Sequence, residues 1–181
     1  MITNDKAQFN LEGTRLIFRT NFSGDPKRDT GKYPNDKRKV NIIVRDINQA
    51  KDMEKAGLDV QVFTPKKRNI DDPEPEPIYY VKAYIQYRKK DGSMVKYPPR
   101  IYLRRPNGGD PILMTEDTVG QLDDIRIKFV DAVIRPWEYD PDEHKSSWRV
   151  QTMYVNQDLD TDPYYNKYFG RRDDIPEDED F

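Results

Sequence analysis

The chain has 181 residues, of which 35% are hydrophobic and 35% charged, enough to build one domain with a core but not two. It has no cysteine and one histidine, which excludes disulfides and the usual zinc sites and fits a cytosolic protein. No apolar run approaches the roughly 18 residues of a membrane-spanning helix, and the polar N-terminus lacks the apolar segment of a signal peptide.

The net charge of −2 hides an asymmetry along the chain. The last nine residues hold six acids and no base, and without them 31 bases face 27 acids. Between Thr14 and Arg105 there are 22 bases and 12 acids. The sequence therefore describes a basic body with an acidic tail, and its acidic pI does not argue against nucleic-acid binding.

Alternating apolar residues predict several strands in chain order, and capping residues predict two short helices. Asp46 is expected to cap the first helix, with Gln49 completing a capping box and Gly57 ending it, and Thr115 is expected to cap the second. The predicted strands span 14–22, 39–45, 59–64, 78–88, 98–105, 124–134 and 148–155. Seven strands and two short helices favour a mainly β fold, a closed or nearly closed antiparallel barrel.

The segment Ile78 to Arg88 reads as a long strand with two different faces. Tyr79, Val81, Ala83, Ile85 and Tyr87 form a core-like face, because side chains alternate along a strand. The opposite face presents Tyr80, Lys82, Tyr84, Gln86 and Arg88. Rings interleaved with cations suit the stacking of unpaired bases, although tyrosine is also a good strand former and cations often solvate an outer face.

The Asp91-Gly92 turn predicts a hairpin that returns through Pro98 and Pro99 and places Tyr102 beside the long strand. Tyr33, in a mobile loop at 23–37, or Trp148 is expected to add a ring at the rim of the groove. The residues predicted to contact DNA are therefore rings and cations from neighbouring strands. They are Arg15, Arg19, Lys39, Arg45, Tyr80, Lys82, Tyr84, Arg88, Arg100, Tyr102, Arg104 and Trp148.

Catalytic groups are scarce in this sequence. The single histidine, His144, lies in a polar loop, and no nucleophile elbow, phosphate-binding loop or dinucleotide fingerprint is present. The pairs Asp71-Asp72 and Asp123-Asp124 lie in turns or at helix ends, where aspartate has local backbone roles. We therefore predict a protein that is not an enzyme and has no metal or cofactor, with a magnesium-dependent nuclease as a distant alternative.

Three stretches carry a resemblance to a known family. The acidic tail 173–181 ends in phenylalanine, and Arg19-Thr20-Asn21-Phe22-Ser23-Gly24 and Val133-Ile134-Arg135-Pro136-Trp137 are similar to stretches in phage proteins. Together they resemble the single-stranded DNA-binding proteins of bacteria and their phages. The resemblance implies an OB-fold-like antiparallel β-barrel over 1–155, a linker over 156–172 and a disordered acidic tail over 173–181.

What the resemblance implies for function is sequence-nonspecific binding of single-stranded DNA in phage replication and recombination, in the host cytoplasm. The tail would compete for the groove and recruit replication or recombination proteins, with Phe181 seated in a partner's pocket. Bacterial tails end in Ile-Pro-Phe, whereas four acids separate Pro176 from Phe181 here, nearer to a phage-type ending. The tail residues expected to bind partners are Asp173, Asp174, Glu177, Asp178, Glu179, Asp180 and Phe181.

A different class of protein also fits the charge pattern. The chain would then be an acidic phage interaction protein that engages a host or structural protein, and its basic strand faces would be ordinary solvated surface. Self-association on DNA, duplex binding and a preference for DNA over RNA stay open.

Overall fold

The computed structural model describes residues 8–140 and 145–158. In this part of the chain nine strands and one α-helix follow one another, with short 3-10 helices at Pro26–Arg28 and Val119–Asp124. The strands are β1 Phe9–Thr14, β2 Leu16–Asn21, β3 Arg38–Ile43, β4 Gln61–Phe63, β5 Ile78–Ile85, β6 Arg100–Arg104, β7 Ile112–Met114, β8 Ile127–Asp140 and β9 Lys145–Gln157. The helix α1 spans Ile47–Lys55.

All nine strands belong to one sheet, with the main order β1-β8-β9-β5-β3-β2. β4 pairs with β5, β6 pairs with β9, and β7 pairs with β6. β9 is antiparallel to β8 but parallel to both β5 and β6, so the sheet is mixed. The predicted mainly β, OB-like fold is confirmed, with two parallel pairings where only antiparallel ones were expected.

The core lies against the inner face of β3, β5, β8 and β9. Val81, Ala83 and Ile85 are buried, which confirms the core-like face predicted for the long strand, and Val40 and Ile42 of β3 opposite them are buried too. The branched valine and isoleucine side chains among them suit a pleated surface, and full burial of one such side chain stabilises the fold by roughly 1.5–3 kcal/mol. The side chains on the outer face of β5, such as Lys82 and Tyr84, are not part of this core.

Helix α1 starts where the sequence predicts. The Asp46 carboxylate accepts a hydrogen bond from the Asn48 backbone N–H (2.9 Å), and Gly57, with φ of 80°, follows the last turn. Gln49 does not close a capping box, because its Nε2 donates to the Asn10 carbonyl (2.8 Å) and ties the helix to β1. Ala50 and Met53 are buried, and no helix among the described residues is long and apolar enough to cross a membrane.

Four further local predictions were wrong. Thr115 does not cap the second helix, because Thr118 occupies the N-cap position of Val119–Asp124. β1 was missed, although Leu11 is 3% exposed, because the N-terminal residues were read as uniformly polar. The alternation predicted over 14–22 fails at Phe18, whose φ of 63° accompanies a register shift between β2 and β3 and leaves Ile17 buried. The hairpin after β5 also ends early: only the bridge between Arg88 and Met94 forms, and β6 pairs elsewhere.

Candidate nucleic-acid interface

A groove of about 1920 Å³ crosses the outer face of β5, β8 and β9 and is walled by the chain between β5 and β6. Strand pairing explains its floor: Tyr84 of β5 lies opposite Arg149 of β9, which lies opposite Arg135 of β8. Since adjacent strands are about 4.8 Å apart, these three side chains form a row across the sheet roughly 10 Å long. The groove is therefore wide enough for an extended polymer rather than a small molecule.

The charge of the groove is strongly positive. Ten of its lining residues are bases and three are acids, Asp36, Asp59 and Glu116. A cleft lined by one sign of charge concentrates ligands of the opposite sign. The bases are Lys37, Arg38, Lys82, Arg88, Lys89, Lys90, Lys96, Arg100, Arg135 and Arg149.

Two arginines face each other in this groove. Arg135 and Arg149 are directly paired across β8 and β9, an arrangement of like charges that disfavours strand pairing. Burial, together with the nearby charge of Arg135, lowers the pKa of Arg149 to about 10. Neither arginine forms an ion pair with a carboxylate among the described residues. An anion placed between them would relieve this repulsion.

Exposed aromatic rings flank the arginine pair. The Arg149 guanidinium lies 3.7 Å from the centroid of the Trp137 ring, and Trp137 is 41% exposed. Tyr97 is 70% exposed on the groove wall, and Lys37 Nζ lies 5.7 Å from the Tyr84 ring centroid. Each of these rings lines the groove beside a cation, the combination that stacks a base and neutralises its phosphate.

One acid in the groove is already paired. Arg88 Nε donates to Glu116 Oε2 (3.1 Å), and Arg88 Nη2 donates to Oε1 (3.2 Å). This two-point contact raises the pKa of Arg88 and holds its guanidinium against the wall. The charge of Arg88 is already neutralised by Glu116, so a phosphate must compete with Glu116 for this predicted contact residue.

Lys39, a predicted contact residue, forms an ion pair with a buried carboxylate. Its Nζ lies 3.0 Å from Asp29 Oδ2, and the Asp29 side chain is only 2% exposed. Hydrogen bonds from the Gly31 N–H, from Lys39 and from the Asn35 N–H lower the pKa of Asp29 to about 2. The pair anchors the loop that carries Lys37 to the sheet, and Lys39 does not line the groove. Its contact with DNA stays a prediction.

Four of the predicted contact residues line the groove with exposed or partly exposed side chains: Lys82, Tyr84, Arg88 and Arg100. Trp148 was predicted at the rim but is 3% exposed in the floor. Its indole Nε1 donates to the Asp59 carbonyl (2.9 Å), and its ring packs edge-to-face on Phe9. Trp148 thus stabilises the fold and cannot present a ring face to a base.

The other two predicted rings lie away from the groove lining. Tyr80 packs edge-to-face on Phe18 (5.2 Å), and burial raises its pKa. Tyr102 stacks on Tyr154 of β9 (4.8 Å between ring centroids), because β6 pairs with β9 and not with β5. The predicted trough of Tyr80, Tyr84 and Tyr102 is therefore wrong, and only Tyr84 belongs to the groove.

The remaining predicted cations also lie outside the groove lining. Arg104 is paired with Asp131 (3.1 Å) and covers the Tyr154 ring at 4.1 Å. Arg19 is partly exposed on β2. Arg15 and Arg45 line a separate, smaller concavity. The tail residues predicted to bind partners lie within 159–181, outside the described part of the chain. Tyr33, which was expected to add a ring at the rim of the groove, is 79% exposed but does not line the groove.

Sequence reasoning missed the residues at the centre of the groove. Arg135 and Trp137 alternate with the buried Ile134 and Pro136 on β8, a period-two pattern visible in the sequence. Arg149 alternates in the same way with Trp148 and Val150 on β9. Both patterns lie outside the strand Ile78 to Arg88, on which the predicted groove was based. The single histidine, His144, lies outside the described residues. Among the described residues no cluster of acids or histidine could hold a metal ion.

The fold and the groove together define a β-sheet protein with an open surface for an extended anionic chain. Comparison with family models gives the same answer: the chain belongs to the family described as "Putative phage ssDNA-binding domain", whose model matches residues 2–179. The match covers nearly the whole chain, so the resemblance to phage single-stranded DNA-binding proteins is confirmed. No curated protein matches the sequence.

Two solved structures are similar to this chain at low identity. A C-terminally truncated single-stranded DNA-binding protein from bacteriophage Enc34 is 14% identical, with a TM-score of 0.44, and the match covers 87% of this chain and 92% of that one. The gp2.5 single-stranded DNA-binding protein of bacteriophage T7 is 10% identical, with a TM-score of 0.39, and the match covers 87% and 97%.

Proposed function

We propose that the groove binds single-stranded DNA without sequence preference, and that the protein serves phage replication and recombination in the host cytoplasm without acting as an enzyme. Exposed rings stack bases, and the surrounding cations neutralise phosphates. No pocket that reads base edges is needed for this, because every base has a face on which a ring can stack. Family membership and the composition of the groove both support the proposal.

The observation that carries it is the arginine pair beside an exposed tryptophan. Arg135 and Arg149 repel each other across β8 and β9, and this like-charge pairing disfavours the folded sheet. Trp137 holds the Arg149 guanidinium at its face and exposes 41% of its surface. A phosphate between the two arginines, with its base against Trp137, satisfies all three side chains at once.

Fluorescence titration with oligo-dT tests the proposal. Of the two tryptophans Trp137 is exposed and Trp148 is buried, so we expect binding to quench Trp137 and the quenching to fall steeply with salt. Trp137→Phe should abolish most of the quenching while fluorescence anisotropy of labelled DNA still reports binding. Absence of salt-sensitive binding in both measurements would refute the proposed function.

The acidic tail enters the proposal as a competitor. Its six negative charges can occupy the basic groove when DNA is absent, so that DNA displaces the tail and exposes it to replication or recombination proteins. We expect deletion of residues 173–181 to tighten binding several-fold at low salt, measured by anisotropy. Replacing the six acids with Asn or Gln at unchanged length should give the same gain. Equal affinity of all three chains at low salt would rule out this competition.

A further inference from the structure

A second concavity of about 360 Å³ lies at the opposite end of β8 from the arginine pair. It is lined by Gly13, Arg15, Arg45, Lys128 and Phe129. Phe129 is six positions from Arg135 along the strand, or about 20 Å at the usual rise of a strand residue. The two concavities are thus separate places on one molecule.

A bulge in β1 positions the cations of this site. The register between β1 and β8 shifts between Leu11 and Thr14, and Gly13 has a φ of 57° that favours glycine. The Gly13 N–H donates to Asp131 Oδ1 (2.7 Å), and its carbonyl accepts from Arg45 Nη1 (2.8 Å). The bulge therefore fixes the Arg45 guanidinium near the point where Arg15 leads into β2.

The charge of the site is uncompensated. Its lining includes three bases and no acid, and Arg15, Arg45 and Lys128 form no ion pair within the described part of the chain. Asp131, which the Gly13 N–H contacts, is already paired with Arg104 (3.1 Å). All three bases are exposed, and the partly buried Phe129 ring provides an apolar surface beside them. Anions with an attached flat or apolar group match this chemistry.

We propose that this concavity is a second phosphodiester-binding site, which holds a distal part of the same DNA strand that fills the groove. The inference rests on the proposed function of the groove and extends it. A short oligonucleotide occupies the groove alone, whereas a long one also reaches Arg15, Arg45 and Lys128. The DNA strand consequently follows the outer surface of the sheet along β8.

The test compares oligo-dT of about 4 and about 30 nucleotides, at the lower end of and beyond the usual range of one OB fold, on the full chain. The variant Arg15→Gln/Lys128→Gln removes two exposed cations whose side chains form no ion pair within the described part of the chain. For the long oligonucleotide we expect the slope of log affinity against log salt to flatten by about 1.4, or 0.7 for each lost contact. For the short one the slope should not change. The matched control, Lys51→Gln/Lys55→Gln, removes two exposed cations of α1 and should behave like the unchanged chain.

The outcomes separate the two proposals. If the unchanged chain binds neither oligonucleotide, the proposed function of the groove fails. If it binds both and the double variant has unaltered slopes, the groove stands and the second site is wrong. Equal flattening for both lengths would also refute a separate distal site. Tighter binding by the variant would assign the concavity to the acidic tail instead of to DNA.

Discussion

Replacement of Trp137 by alanine should weaken binding of single-stranded DNA roughly 5- to 150-fold, because one stacked base contributes about 1–3 kcal/mol. Trp137 is the largest exposed ring in the groove, and Arg149 holds it in place from 3.7 Å. The variant also loses this cation–π contact, which at exposed sites contributes about 0.5–1 kcal/mol, so its melting temperature should fall only slightly. Anisotropy with labelled oligo-dT and thermal unfolding measure the two effects.

Two control variants define what the result means. Trp137→Phe keeps a ring for stacking and should retain most of the affinity. Tyr33→Ala removes another exposed ring, 79% exposed and outside the groove lining, and should change little. Equal losses from Trp137→Ala and Tyr33→Ala would show that exposed rings contribute without regard to the groove, and the interface assigned here would be wrong.

Replacement of Arg135 by glutamine should move stability and binding in opposite directions. The change removes the like-charge pairing with Arg149, which disfavours the folded sheet by about 0.2–1 kcal/mol, so the melting temperature should rise. It also removes one phosphate contact, which should flatten the salt dependence of binding by about 0.7. The pKa of Arg149 should rise toward its usual range, since the charge of Arg135 is one cause of its lowering.

A matched variant separates these effects from a general change of charge. Lys51→Gln removes one exposed cation from α1, outside both concavities, and should alter neither the melting temperature nor the salt slope appreciably. Should Arg135→Gln lower the melting temperature and leave the salt slope unchanged, Arg135 would be a structural residue. An anion between the two arginines would then have no support from the like-charge pairing.

The faces of β5 could be predicted from the sequence because they depend only on local alternation. Val81, Ala83 and Ile85 point inward and Lys82 and Tyr84 outward, as the period of two requires. The strand over 39–45 and the Asp46 cap followed from equally local signals. To predict a mainly β fold, it is enough to count such segments, and this prediction was confirmed.

Strand neighbours could not be predicted in the same way. The Asp91-Gly92 turn forms, but Pro98 and Pro99 interrupt the returning chain, and β6 then pairs in parallel with β9 some 50 positions away. No local pattern encodes such a pairing, so Tyr102 was placed beside Tyr84 when it belongs beside Tyr154. The groove residues of β8 and β9 were missed for this reason, because only the pairing with β5 brings Arg149 to Tyr84.

The position of β9 in the sheet has a consequence for synthesis of the protein. This strand lies between β8 on one side and β5 and β6 on the other, although it is the last strand in the described chain. While the ribosome is still making the residues before Gln157, the earlier strands lack their shared neighbour and the groove lacks Arg149. Contacts between distant parts of a chain form slowly, typically over milliseconds to seconds. We therefore expect the groove to be complete only after elongation has passed this strand.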